Sequence, residues 1–170
     1  MTLSVGGETP TYNIFGESSG PVFARDYEFR IMKYLAAEAG FQSMLPLTTT
    51  SVFLPVTSVS PGVTLTPYPT GGYAFLTQSS RALINVVPFG PRFVLPLASD
   101  RFEVFAGGGG AILFRATGGY DLAAQTNIGG RVALDRGHRF WVGTSGRFIW
   151  NAGYSRQEWL SWTADLGIRF

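Results

Sequence analysis

From Trp159 to Phe170 the chain alternates with a period of two. Leu160, Trp162, Ala164, Leu166, Ile168 and Phe170 share one parity; Ser161, Thr163, Asp165, Gly167 and Arg169 share the other. A strand turns successive side chains to opposite faces, so this segment is predicted to be a strand with one oily and one wet face.

The same alternation recurs along the chain. It predicts strands over Tyr34–Phe41, Arg81–Leu95, Phe102–Phe114, Ala124–Leu134 and Phe140–Trp150. Two weaker stretches add to these. Leu3 and Val5 alternate with Ser4, Gly6 and Glu8 until Pro10 interrupts. Phe23, Tyr27, Phe29 and Ile31 alternate with Ala24, Asp26, Glu28 and Arg30, with Arg25 on the wrong face. Eight strands result, and helix signals are nearly absent.

Bulk composition narrows the class. Charged residues make up only 14% of the 170 residues, against roughly a quarter in a typical soluble domain. Yet no run of ~18 apolar residues is present, so no transmembrane helix is available. Sparse charge without long apolar runs suits a membrane barrel, in which apolar and polar residues alternate. Net charge is +2 with a single lysine, Lys33. No basic cluster tracks phosphates, and nucleic acid is not an expected partner. Cysteine is absent, which removes disulfides and thiolate metal sites.

The connections alternate in length. Short ones are predicted at Met32–Lys33, Leu97–Asp100 and Asp135–His138. Long ones are predicted at Gly16–Pro21, Gln42–Ser80, Arg115–Asp121 and Asn151–Gln157. This is the layout of an all-β, up-and-down antiparallel transmembrane barrel with short periplasmic turns and long extracellular loops. About thirteen residues at ~3.3 Å rise, tilted ~45°, span roughly the 30 Å of a bilayer core. The chain is read as one domain over residues 1–170.

Residues 42–80 are read as a long uncharged extracellular loop. Ala39 to Ser80 contains no Asp, Glu, Lys or Arg but holds Pro46, Pro55, Pro61, Pro67 and Pro69. Val56 to Leu65 reads as a hairpin around Pro61-Gly62. A ten-stranded barrel, with this hairpin in the wall, is the competing architecture; the prolines argue against it, since each removes a ladder donor.

The polar faces say which side is inside. They collect Glu8, Glu28, Glu38, Glu103 and Asp165 with Arg30, Arg92, Arg131, Arg147 and Arg169. Arginine suits bidentate pairs in confined space. An eight-stranded lumen is just wide enough to be filled by side chains. Glu8, Glu38, Arg92, Glu103, Arg131, Arg147 and Asp165 are therefore expected to form a lumen ion-pair network. Phe102, Phe140, Trp150, Trp159 and Trp162 gather toward strand ends and are expected to form aromatic girdles.

No catalytic or metal constellation emerges. Gly107 to Gly110 leads into more strand rather than a helix N-terminus, so it is not read as a phosphate cradle. His138, the lone histidine, lies in a turn away from partners. A non-enzymatic chain without cofactor or metal is expected.

From about Arg81 to Phe170 the chain resembles the family of small eight-stranded outer-membrane β-barrels. The resemblance rests on Val87-Pro88-Phe89-Gly90-Pro91-Arg92-Phe93, Phe105-Ala106-Gly107-Gly108-Gly109, Gly129-Gly130-Arg131-Val132 and Leu166-Gly167-Ile168-Arg169-Phe170. It implies a signal-bearing precursor and a location in the bacterial outer membrane of the Gram-negative cell envelope. It also implies that Leu166, Ile168 and Phe170 form the assembly signal read by the barrel-assembly machinery. Expected partners are that machinery, outer-membrane lipid and a surface partner met through residues 42–80, with the chain a monomer. The role expected is structural or adhesive. Two alternatives stand beside it: a soluble lipocalin-like barrel around a small apolar ligand, and a narrow porin-like pore.

Overall fold

The computed structural model describes residues 1–12, 17–55, 65–67, 73–81, 83–97, 101–115, 118–151 and 158–169. They form twelve strands: β1 (Thr2–Tyr12), β2 (Glu17–Ser18), β3 (Gly20–Met32), β4 (Leu35–Met44), β5 (Leu47–Pro55), β6 (Leu65–Pro67), β7 (Tyr73–Arg81), β8 (Ile84–Leu97), β9 (Phe102–Arg115), β10 (Tyr120–Ala133), β11 (Phe140–Trp150) and β12 (Glu158–Ile168).

Eight of them close a barrel in the order β1-β12-β11-β10-β9-β8-β4-β3, every neighbour antiparallel. The architecture is up-and-down and all-β, and the wall has eight strands, not ten. Closure leaves no edge within the wall.

Proline does not keep a segment out of this wall. Pro88, Pro91 and Pro96 all lie inside β8, a wall strand with partners on both sides. The cost is local. The β8–β9 pairing skips from Phe89↔Gly110 to Arg92↔Gly107, so Gly90 and Pro91 have no β9 partner, while on the other side they pair with Glu38 and Ala37 of β4.

The segment read as a loop contains strands. Past Met44↔Ile84, the last β4–β8 pair, the same two chain directions pair again as β5 and β7, from Leu47↔Arg81 to Pro55↔Tyr73. The break falls at Leu45-Pro46, where proline has no N–H to give. Arg81 Nη1 donates to Leu45 O at 3.0 Å across this joint. With β2 and β6 the arms make a four-stranded sheet, β2-β5-β7-β6. The expected turn at Pro61-Gly62 lies outside the described residues.

At the opposite end the connections are tight. Lys33 and Tyr34 join β3 to β4. In the β10–β11 turn, the Asp135 carboxylate accepts backbone N–H bonds from Gly137, Arg139 and Phe140 at 3.1, 2.8 and 2.9 Å. On the loop side, β9 and β10 pair as far as Tyr120↔Phe114, so that connection shrinks to residues 116–119.

Glycine shapes the wall by facing bulk across strand pairs. Phe89 lies opposite Gly110, and a β-carbon there would stand 2.6 Å from the Phe89 ring. Trp162 lies opposite Gly146 in the same way, at 2.7 Å. A ring laid flat over a glycine covers backbone that would otherwise lack side-chain cover. The run Gly107–Gly110 is thus wall, as its strand context predicts.

Candidate functional site

The barrel is turned inside out relative to a soluble one. Charged residues of the even-numbered or odd-numbered parity, strand by strand, are buried in the lumen: Asp26, Glu38, Arg92, Glu103, Arg147 and Asp165 among them. Large apolar side chains cover the exterior. Leu166 and Phe93 are each 64% exposed, and Leu3, Ile128 and Val132 are exposed too.

The lumen is layered. Nearest the long connections, Val22, Met44, Ile84, Val86, Ala111, Leu113, Ile149 and Trp159 pack into an apolar plug. These positions lie toward the loop ends of β3, β4, β8, β9, β11 and β12, so side chains from most of the wall meet there.

Beneath the plug, Arg147 of β11 crosses to β3 and β4. Its Nη2 donates to Asp26 at 3.2 Å and pairs closely with Glu38, and its Nη1 donates to Gln42 Oε1 at 3.0 Å. Glu38 also receives Arg92 Nη2 at 2.7 Å and Asn127 Nδ2 at 2.5 Å. Gln42 Nε2 passes the chain on to Ser161 Oγ at 3.4 Å.

Nearer the tight turns, Glu28 and Glu103 share a set of arginines. Glu28 meets Arg30 at 2.9 Å, Arg92 at 3.3 Å and Arg131 at 2.9 Å. Glu103 meets Arg131 at 2.7 Å, Arg30 at 2.8 Å and Arg169 at 3.4 Å. Arg92 touches both Glu28 and Glu38 and joins the two layers. The Phe105 ring lies 4.4 Å from the Arg92 guanidinium and 5.7 Å from that of Arg131, and Trp141 supports Arg131 and Arg169. Glu28, Glu38 and Glu103 are each held by more than one donor, the condition under which buried ions persist.

Among the described residues little space remains. One interior cavity of about 20 Å³ lies among Asp26, Arg92, Phe105 and Arg131, and another of about 10 Å³ lies beside Gln42 and Arg147. Each is about the room one water needs. Below them the turn end opens into a basin of about 380 Å³ bordered by Glu28, Arg30, Arg131 and Arg169. No group of three His, Cys, Asp or Glu suited to a metal ion occurs among the described residues.

Of the residues expected in the lumen, Glu38, Arg92, Glu103, Arg131 and Arg147 come together. Glu8 is buried further toward the loop end, opposite Ser161. Asp165 is buried but accepts from Thr163 Oγ1 at 2.8 Å rather than meeting one of the expected arginines in the contacts above. Asp26, Glu28, Gln42 and Asn127 belong to the same network.

Trp159 corrects the girdle expectation. It is 0% exposed and packs in the plug, because it shares the inward parity of Ser161, Thr163 and Asp165. Phe102, Phe140 and Trp162 are exposed, and Trp150 is half-buried against Phe148. Leu166 and Ile168 point outward, while Phe170 lies outside the described residues.

No family model matches the sequence, and no curated protein does. Solved structures do. The barrel is similar to Ail, the attachment invasion locus protein of Yersinia pestis. The TM-score is 0.52 at 12% identity, covering 99% of this chain and 97% of that one. A second structure of Ail, in complex with the heparin analogue sucrose octasulfate, gives 0.51 at 13% identity with the same coverage. The translocator domain of the autotransporter NalP from Neisseria meningitidis scores 0.43 at 10% identity, with 99% and 87% covered. The likeness to Ail is one of fold over the whole chain.

Proposed function

We propose that this chain is an integral, non-enzymatic β-barrel of the bacterial outer membrane, a single domain whose lumen is filled by side chains. The observation that carries the reading is the inversion of polarity: arginine–carboxylate clusters inside, exposed Leu, Ile, Val and Phe outside. An apolar belt facing lipid and a polar lumen are what a spanning barrel requires. A soluble barrel around an apolar ligand requires an empty apolar interior, and the interior cavities found among the described residues are about 20 and 10 Å³. The apolar plug above the charges works against an open pore.

In this reading the tight turns face the periplasm and the β2-β5-β7-β6 sheet stands outside the cell. Phe102, Phe140 and Trp162 sit near the interfaces. Leu166 and Ile168 take part in recognition by the assembly machinery, and the barrel is a monomer. The sheet serves a structural or adhesive role. Nine residues of β5 at ~3.3 Å each carry it roughly 30 Å along the strand direction. Ail's structure with a polysulfated ligand suggests one class of partner for such a barrel. Here the span Ala39–Ser80 has no Lys or Arg, so a partner met through it is recognised by uncharged chemistry, in which serine and threonine hydroxyls supply the hydrogen bonds.

The test is folding into detergent or lipid with heat-modifiable gel migration, followed by planar-bilayer recording. A chain that needs detergent, migrates faster unheated and shows no stepwise conductance supports the reading. A monodisperse, folded chain in plain buffer overturns it, and steady single-channel steps overturn the filled lumen.

A further inference from the structure

One charge in the wall faces outward. On β3 the outward parity runs Phe23, Arg25, Tyr27, Phe29 and Ile31, and all five are exposed. Arg25 has apolar neighbours on every side. Phe23 and Tyr27 flank it along the strand. Across the strand pairs it stands opposite Leu3 of β1 and Phe41 of β4, both about half exposed. The nearby acids of β3, Asp26 and Glu28, turn into the lumen, where Arg147 and Arg131 hold them. An arginine on a lipid-facing wall is costly unless its guanidinium reaches an anion or the interface.

The side chain runs toward the tight turns. Its Nη2 donates to Met1 Sδ at 3.1 Å, and the guanidinium lies 5.0 Å from the centre of the Tyr27 ring. Met1 stands at the turn end of the wall, where its carbonyl takes the N–H of Ile168, the last residue of β12, at 2.8 Å. Arg25 thus lays its stem along apolar surface and carries its charge down to the rim. Neither contact neutralises it. A thioether is a weak acceptor, and a ring face offers only a quadrupole. Among the described residues the Arg25 guanidinium meets no carboxylate, whereas Arg92, Arg131 and Arg147 of the lumen each bridge two.

We propose that Arg25 binds the phosphodiester of a phospholipid in the leaflet at the tight-turn end. The proposal rests on the membrane-barrel reading above. Charge and place together fix the occupant. A bare cation at the border of an apolar wall needs an anion that itself carries hydrocarbon, and a lipid phosphate is that anion. The guanidinium presents its remaining donors as a planar fork, which phosphate oxygens match two at a time. The Tyr27 ring supports the fork from one side. From the phosphate the acyl chains run up the wall along Phe23 and its register partner Val5, both exposed.

The test uses the whole chain folded in detergent, with added phosphatidylglycerol or with diacylglycerol of the same acyl chains, followed by native mass spectrometry. Arg25→Gln removes the cation. Arg136→Gln removes an exposed charge from the β10–β11 turn and is the control. The expected result is one phosphatidylglycerol retained by the parent and by Arg136→Gln, with retention about tenfold lower in Arg25→Gln. Diacylglycerol, which lacks the phosphate, is retained by none of the three. Equal retention of phosphatidylglycerol by the parent and Arg25→Gln overturns the proposal. Diacylglycerol held as well as phosphatidylglycerol overturns it too, since the apolar wall alone would then account for binding. Displacement of the lipid by millimolar inorganic phosphate would make this a site for free anions, and a dimer mass abolished by Arg25→Gln would put a second copy there; either result overturns the lipid assignment. Heat-modifiable migration of every variant is read in parallel. Its absence in the parent chain counts against the membrane reading, and its presence throughout with equal lipid retention counts against this site alone.

Discussion

Arg131 and Glu103 are register partners across β10 and β9, and Arg131 ties that pair to Glu28 on β3, on the far side of the lumen. One guanidinium therefore links wall strands that are not neighbours. Arg131→Ala leaves two carboxylates in a confined space short of a donor. Breaking a buried pair in this way costs about 3–5 kcal/mol, against ~0–1 kcal/mol for the exposed Arg136→Ala. Urea unfolding of both variants in lipid vesicles measures the difference, and equal midpoints would rule out a structural role for the network.

Adjacent glycines on β10 are expected to behave oppositely. A β-carbon at Gly129 would collide with the Phe105 ring and with the Thr144 carbonyl, while one at Gly130 has ordinary contacts. Gly129→Ala should cost about 1–3 kcal/mol by overpacking. Gly130→Ala should be near neutral. The same unfolding assay distinguishes them.

Arginine on the outer wall tests the lipid contact. Leu166→Arg or Val132→Arg should cost ~2–4 kcal/mol at mid-bilayer depth, falling toward the interfaces. A loss that does not vary with depth along β12 would argue against a lipid-facing wall.

The β10–β11 turn carries a pH dependence. Hydrogen bonds from Phe140, Arg139 and Gly137 hold the Asp135 carboxyl below its ordinary value of 3.8, the Phe140 N–H contributing most. A carboxyl depressed in the folded state stabilises fully above the unfolded pKa, and that contribution fades as pH falls through the folded value. Asp135→Asn should therefore flatten the acid limb of the stability–pH curve below about pH 4. Identical limbs in parent and variant would contradict the assignment.

Joining Leu47 to Arg81 by a short turn removes β6 and most of β5 and β7 but keeps the first pair of the arms. Barrel folding should survive, with unchanged heat-modifiable migration, and any surface-binding activity should be lost. Failure to fold would make the sheet part of the barrel's own stability.

Period-two parity was enough to place the wall strands and most of the lumen ions, because a strand admits only two faces. It failed where both faces are apolar. Ile84 and Val86 point inward and Val87 outward, so nothing in that stretch distinguishes plug from lipid face. Gln42 and Asn127 join the ion network as neutral amides, which charge counting passes over. Trp159 was legible, since its parity matches Asp165, but its place next to a loop suggested an interface. The β5–β7 arms were hidden by prolines. A proline between strands marks a joint rather than the end of pairing, and only the register across both arms reveals that.

The plug also gives the barrel a sense of direction. Among the described residues, Trp159 and its neighbours pack across the loop end, and the arginines and carboxylates below meet the basin at the tight turns. Among the described residues, the lumen is a well with its mouth at the tight turns. Denaturant, salt or a titrant applied on the side of the turns has access to the Glu28 and Glu103 clusters, whereas the same solute on the other side meets hydrocarbon first. In an oriented membrane, the two compartments would therefore act on this protein unequally.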